Sequence, residues 1–336
     1  MYDILYITNL PAFYKINLLN RIAQNRKLLV VFIEPMNEQR NSDFITGERY
    51  FEFITLQSKT KVLNLLKLTS LLFNYRFNKL IVGGWDYPEY WISVLISAKK
   101  RNGVVIESSI HESKTNGVKG FIKRIFMQRI SSAFVSGKSH EQLVKSLNFK
   151  GNIIKTRGVG IFNLVPQPVY QAKNEVTNFI YVGRLSEEKN LLFLIDVFNR
   201  LPHLKLNIVG YGPHEKVLKS AANNNIVFHG AVANKDLTKF YQENDVFVLA
   251  STSEPWGLVV EEALNNGLPV IVSNRVGCAE EIINETNGIV FNLSESNSLY
   301  NAIIEISHVK FYNNLRMNIC KLDFDKLAIE QIECYK

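Results

Sequence analysis

Cysteine is scarce in this 336-residue chain, at three residues, Cys278, Cys320 and Cys334. Their odd number and wide spread, outside any zinc-ligand spacing, argue for a reducing compartment and against a disulfide framework or structural zinc. Long apolar runs are missing too. The best contenders are broken by Asn64 and Lys67, or by Tyr75 and Arg76. None reaches the roughly 18 residues that a membrane-spanning helix needs. The start, MYDILYITNL, has no basic segment ahead of its strand-like run, so no secretory leader is expected. Low-complexity tracts and repeats of solenoid period are absent. So is an arginine-rich aromatic platform, which argues against nucleic acid as a partner.

What is there describes an ordinary globular protein, 46% hydrophobic and 21% charged. Its length favours two domains of about 150 residues each. The net charge of +8 is unevenly placed. Residues 1–170 hold 24 Lys+Arg against 11 Asp+Glu, a net of +13; the remainder holds 39 − 24 = 15 against 31 − 11 = 20, a net of −5. A basic first half is suited to an anionic membrane surface. A solvated basic face with no partner is the plainer alternative.

Short apolar runs alternate with helix-like segments. DILYIT, KLLVVFIE, NKLIVGG and GVVIESS read as strands of a first α/β unit. A seam falls at VPQPVYQAKNEVTN, after which the rhythm restarts with NFIYVGR, a helix at about 188–200, KLNIVGYG, NIVFHG, DVFVLAS, LPVIVS and NGIVF. The fold expected is α/β with two Rossmann-like, doubly wound domains, residues 1–168 and 169–336, the last helix able to pack back on the first domain. Two such domains facing one another would place the active site in the cleft between them.

The stretch SEPWGLVVEEALNNGLPVIVS places Glu254 in the loop after a buried-type strand and Glu262 inside the following helix. Gly257 permits close approach of the backbone, and the amides of Gly257, Leu258 and Val259 at the helix start favour an anion. Two carboxylates flanking such a start suit a nucleotide diphosphate sugar, with an anionic middle and hydroxyl-rich ends. The plainer readings are a helix-dipole charge for Glu254 and a solvated helix face for Glu262. YVGRLSEEKN adds Arg184 and Lys189 after Gly183, a clamp for a diphosphate or, more plainly, surface partners of Glu187 and Glu188. IVGYGP supplies a third strand end with Gly210 and Gly212.

Together VGRLSEEKN, IVGYGP, HGAV, the Glu254–Glu262 stretch, VGCAEEI and NGIVF resemble the retaining GT-B glycosyltransferases of the large family 4, with the E-x7-E signature. The match covers about residues 178–305. The resemblance implies that Glu254 binds donor-sugar hydroxyls, Glu262 the ribose, and Arg184 and Lys189 the diphosphate. It also implies that Leu258 and Val259 amides take the terminal phosphate and that backbone near Val232 meets the base. The second domain would bind the nucleotide sugar, a UDP-sugar in preference, and the first the acceptor. The first βα loop, NLPAFYKI, lacks the Gly-Gly pair many members carry and is similar to a Pro-x-x-Tyr-Lys/Arg subgroup, which makes Tyr14 and Lys15 acceptor candidates beside Glu107. His111 stands where many members have an active-site histidine; the residue by itself reads as structural.

The activity so implied is transfer of a hexose-type sugar with retention, to a lipid-linked oligosaccharide of bacterial O-antigen or capsule synthesis. It would need no cofactor and no metal. The expected place is the cytoplasm, peripheral on the inner membrane face. A nucleotide-sugar 2-epimerase of the same architecture and a non-catalytic nucleotide-binding protein are the alternatives. KTNGVKGFIKRIFMQRISSAF reads as a basic amphipathic helix, either on a membrane or packed on its own sheet. DFD at 323–325 reads as helix-cap and surface carboxylates, not as a metal site.

Overall fold

The computed structural model describes residues 1–33, 47–57 and 60–336. The last residue of the expected strand KLLVVFIE, Glu34, lies outside them. The described residues form two compact units, Met1–Ile161 with Ala328–Lys336, and Phe162–Leu327.

The first unit runs β1 (Tyr2–Thr8), α1 (Phe13–Ala23), β2 (Leu28–Phe32), β3 (Glu52–Thr55), α2 (Lys61–Asn74), β4 (Phe77–Val82), α3 (Pro88–Ile96), β5 (Asn102–Ile106), α4 (Gly117–Gln128), β6 (Ser132–Val135), α5 (Lys138–Ser146) and β7 (Asn152–Lys155). Its seven strands are parallel in the order β3-β2-β1-β4-β5-β6-β7. β2 and β5 are buried at every position, as strands covered on both faces must be. Right-handed crossovers from an order that reverses between β1 and β4 put α1 on one face and α2 to α5 on the other. Trp91 of α3 meets Phe126 of α4 edge to face at 5.0 Å. The buried amide of Asn102 donates to Val94 O and Arg129 O, both at 2.9 Å, which fixes the start of β5 against both helices.

The second unit runs β8 (Asn178–Val182), α6 (Leu191–Asn199), β9 (Lys205–Val209), α7 (Glu215–Ala221), β10 (Ile226–Gly230), α8 (Asn234–Gln242), β11 (Val246–Leu249), α9 (Leu258–Asn265), β12 (Val270–Ser273), α10 (Ala279–Ile282), β13 (Gly288–Phe291), α11 (Ser298–Ile306) and α12 (Val309–Ile319). Its strands are parallel in the order β10-β9-β8-β11-β12-β13, which reverses between β8 and β11. Buried Asp245 pairs with Lys173 and accepts the amides of Thr177 (3.0 Å) and Asn178 (2.9 Å), seating the start of β8 beside β11. α13 (Phe324–Glu333) begins in this unit; its later residues belong to the first, where Tyr335 stacks on Phe134 at 4.8 Å.

The helix expected at about 188–200 is two elements. A 3-10 turn covers Glu187–Lys189 and α6 begins at Leu191, with Asn190 between them in the left-handed region at φ 55°. Asparagine tolerates that conformation better than most residues, so the break costs little there. No helix among the described residues is long and apolar enough to cross a membrane.

Candidate active site

The reversal between β8 and β11 opens two strand ends side by side, the usual place for a ligand in a doubly wound sheet. After β8 the chain passes through Gly183 and Arg184, and the Arg184 carbonyl accepts the Tyr181 hydroxyl at 2.8 Å. Gly210, at the end of β9, has φ +140°, and a Cβ on it would stand 1.8 Å from the Gly183 carbonyl oxygen. Only glycine allows β8 and β9 to end so close together. Arg184 is exposed and has no ion pair among the described residues. Lys189 pairs with Glu254 across the reversal, and the Thr252 amide donates to Glu188 O at 2.9 Å, joining the same two loops. Neither cation forms an ion pair with Glu187 or Glu188 among the described residues, although, against the raising effect of burial, both attract the Glu188 carboxylate and help to lower it. Glu254 answers a lysine as well as lying ahead of a helix start.

The loop that carries Glu254 is held on its other side. Its amide donates to Arg275 O at 3.2 Å, and the Gly277 amide donates to Glu254 O at 2.9 Å. Gly257 has φ +100° and opens α9, whose first-turn amides at Leu258 and Val259 have no acceptor within the helix. Trp256 is buried, and its indole donates to Glu261 Oε2 at 3.0 Å. Glu261 is a residue that sequence reasoning missed; its signal is a place five residues after Trp256, close enough on a helix start to meet the indole. Burial pushes the Glu261 carboxyl up to about 8, against the lowering effect of the indole hydrogen bond. Glu262 is buried as well, not on a solvated face, and accepts the Tyr241 hydroxyl at 3.2 Å. Burial pushes it up to about 7, with Tyr241 acting the other way. Val232 lies in the turn between β10 and α8.

In the first unit the ends of β1 and β5 are brought together. Lys15, buried at the start of α1, reaches Glu107 Oε1 at 2.7 Å, Asn9 Oδ1 at 3.1 Å and Thr8 Oγ1 at 3.4 Å. The neighbouring Tyr14 packs on Gly160, where a Cβ would come within 2.6 Å of its ring, and its carbonyl accepts the Ile161 amide at 3.2 Å. His111 sits in an exposed turn beyond β5, four residues after Glu107. His140, on α5, is fully buried and was also missed. Burial lowers its imidazole to about 4, partly offset by a hydrogen bond with the Glu107 backbone, so the folded state favours the neutral ring at neutral pH. Asp323 Oδ1 accepts the Lys326 amide at 2.9 Å and caps α13. No cluster of three or more His, Cys, Asp or Glu side chains among the described residues is placed to hold a metal ion.

Two Rossmann-like, doubly wound units define the GT-B class of fold. Sucrose-phosphate synthase from Thermosynechococcus elongatus matches 99% of this chain and 98% of its own with a TM-score of 0.73 at 16% identity. The Anabaena HepE complex with UDP and glucose matches 99% of each chain with a TM-score of 0.71 at 15% identity. At such identities the likeness is one of fold alone. Within the second unit, residues 167–321 match the model of Glycosyl transferases group 1. An uncharacterized 41.2 kDa protein in the cps region of Klebsiella pneumoniae is 31% identical over 155 residues, 45% of this chain and 42% of that protein. The UDP-Gal:alpha-D-GlcNAc-diphosphoundecaprenol alpha-1,3-galactosyltransferase of Escherichia coli is 30% identical over 150 residues, 42% of this chain and 39% of that enzyme. The chain thus spans less than half the length of these curated relatives.

Proposed function

We propose that this chain is a retaining, metal-independent glycosyltransferase of the E-x7-E type. It moves a hexose-type sugar from a nucleotide diphosphate donor, a UDP-sugar in preference, to a lipid-linked oligosaccharide of bacterial surface polysaccharide synthesis. One observation carries the reading: at the β8/β11 reversal, exposed Arg184, the Lys189–Glu254 pair, the free amides opening α9 and buried Glu262 all belong to one unit.

Arg184, Lys189 and the Leu258 and Val259 amides take the diphosphate and stabilise its charge as it leaves. Lys189 then shares its ammonium with phosphate, which releases Glu254 for hydroxyls of the transferred sugar. Glu262 accepts the ribose hydroxyls, backbone near Val232 meets the base, and Gly183, Gly210 and Gly257 keep side chains out of the way. His111 stands by the sugar; Tyr14, Lys15 and Glu107 address the acceptor. The bond from the anomeric carbon to diphosphate breaks as the acceptor oxygen bonds to the same face, and the departing diphosphate takes the acceptor's proton. The names of the relatives support the setting, since one lies in a cps region and one acts on a diphosphoundecaprenol-linked sugar.

A peripheral place on an anionic inner membrane is part of this reading. α4 turns Val118 (75% exposed), Phe121 (61%), Ile122 (46%) and Ile125 (40%) to solvent along one stripe, while Phe126 and Met127 pack inward. Neither α4 nor α2 contains an acidic residue, and both carry lysines. An apolar stripe edged only by cations has the chemistry of an interfacial helix.

The test is a panel of nucleotide sugars, scored by protection against thermal unfolding and by donor hydrolysis in EDTA. A UDP-sugar should protect and be hydrolysed, and Arg184→Ala and Lys189→Ala should each weaken UDP roughly tenfold or more, the usual cost of a lost charged hydrogen bond. Unchanged UDP affinity in both variants overturns the diphosphate assignment. Conversion of the donor to its 2-epimer without acceptor favours the epimerase, and binding without turnover the non-catalytic protein. Activity lost in EDTA and restored by Mn²⁺ would reopen a role for Asp323 and Asp325.

A further inference from the structure

The first unit holds a cavity of about 480 Å³ at the carboxyl ends of β4 and β5, lined by Trp85, Asp86, Trp91, Glu112, Lys119 and Lys123 among others. Its volume lies in the range of small-molecule sites. The Trp91 indole is fixed: its Nε1 donates to the Trp85 carbonyl at 2.8 Å, and its ring rests edge to face on Phe126. Lys123 comes from the first turns of α4. Its ammonium lies 5.3 Å from the centre of the Trp85 ring, donates to Ser113 Oγ at 2.5 Å and to Lys114 O at 3.0 Å, and is half-buried.

The opposite charges around this cavity attract one another without a direct ion pair among the described residues. Neither Lys119 nor Lys123 has a carboxylate within ion-pairing distance among the described residues, although Asp86 lines the same cavity. Burial lowers the Lys123 ammonium and raises the Asp86 carboxyl, each partly offset by the attraction of the other. A half-buried cation and a carboxyl that line one space without an ion pair both gain from a ligand that brings an acceptor to one and a donor to the other. A sugar bearing a phosphate brings both, and its pyranose faces suit indole walls. Glu112 adds a second acceptor for hydroxyls, which argues for a sugar rather than a bare anion.

We propose that this cavity binds a glycosyl phosphate, its phosphate on Lys119 and Lys123 and its hydroxyls on Asp86 and Glu112. The inference rests on the acceptor role given above to the first unit, and it names the part of the acceptor that the chain holds. Ile122 lines the cavity and also belongs to the exposed apolar stripe of α4. A lipid attached to the phosphate would leave along that stripe. The shared chemistry is the glycosyl phosphate; a soluble sugar phosphate and a prenyl-linked one are its two sources.

Glucose 1-phosphate is the probe, read by quenching of tryptophan fluorescence and by calorimetry, with glucose and inorganic phosphate as the separated halves. Measuring in the Arg184→Ala background removes the donor site from the readout. Glucose 1-phosphate should bind better than either half, and Lys123→Gln and Lys119→Gln should each weaken it roughly tenfold to a hundredfold. Lys119 makes no ion pair among the described residues, so its variant keeps the test valid if Lys123→Gln misfolds. Affinity unchanged in both lysine variants, or binding lost through Arg184→Ala alone, overturns the proposal. A farnesyl-diphosphate-linked glucose in phosphatidylglycerol vesicles separates the sources: tighter binding than the soluble probe assigns the lipid-borne form, and equal affinity the soluble form, both through the same lysines. Nucleotide-sugar binding by the unaltered protein is measured separately. If that fails while glucose 1-phosphate still binds through Lys123, the transferase reading falls and the site remains.

Discussion

Glu262 poses the sharpest question of any single residue, because burial raises its carboxyl to about 7, close to neutral pH. Ribose hydroxyls that donate to it stabilise the ionised form, so nucleotide binding should expel protons near neutral pH. UDP affinity should therefore rise between pH 6 and 8, by up to about tenfold per unit below the carboxyl's own value. Calorimetry in two buffers of different ionisation enthalpy measures the protons released, and Glu262→Gln should abolish the difference. Equal binding enthalpies for the unaltered protein in both buffers would remove Glu262 from the ribose. Glu254→Gln should behave otherwise: UDP nearly untouched, turnover lower, because its hydroxyl partners lie on the sugar and its charge opposes the positive charge that develops at the anomeric carbon. In the sequence, Glu254 and Glu262 stood out by their places in the loop and in the helix after a buried-type strand, and by the resemblance that their spacing completes. Glu261 was not legible, since adjacent glutamates look alike until burial shows that one of them holds Trp256. His140 was hidden for the same reason, as nothing in SGKSHEQLV tells a buried imidazole from a surface one.

Among the elements, near-continuous apolar runs were readable even at four residues, as in β11, β12 and β13, and the doubly wound class followed from their alternation with helices. β3 and β7 are equally short but carry polar residues at their ends and are incompletely buried, and β6 opens on a serine preceded by another, so none of the three stands out from loops. The break at Asn190 was invisible because the flanking sequence keeps a helical pattern through it. α4 shows the opposite limit. Its sequence left membrane and sheet as equal explanations of its apolar residues, and only the packing divides them into an inner stripe with Phe126 and an outer one with Phe121 and Ile125. The outer stripe makes a prediction of its own. Phe121→Ser with Ile125→Ser should cut cosedimentation with phosphatidylglycerol vesicles severalfold, as exposed apolar area and cationic attraction act together. Raising salt from 0.1 to 1 M should weaken what remains, because the screening length shrinks from about 10 to 3 Å. Donor hydrolysis should be unaffected by the pair. Equal sedimentation of the variant and the unaltered protein would leave the stripe without a membrane role.

Across the whole molecule, charge is divided by unit, and so is the response to pH. In the first unit His140 is held near 4 against an ordinary 6.5 by burial. Its neutral form belongs to the folded state, so the stability it contributes is present above 6.5 and lost as pH falls through 4. The size of that loss is about 3 kcal/mol, at 1.36 kcal/mol per unit. In the second unit Glu261 and Glu262 are raised by burial to about 8 and about 7 from an ordinary 4.5. Their protonated forms belong to the folded state, so their contribution is complete below 4.5 and lost as pH rises through 7 and 8. Raised Asp86 in the first unit and lowered His229 in the second oppose these trends, but both are less buried and shift less. Hydrogen exchange followed by mass spectrometry reads each unit separately. Between pH 7 and 5 the strands β5 and β6 should lose protection while β11 and β12 gain it, after correction for the intrinsic exchange rate. His140→Gln should flatten the first trend and leave the second, and Glu261→Gln should do the reverse. Parallel trends in the two units, or an acid response of β5 and β6 that survives His140→Gln, would show that other groups govern the pH response of this fold.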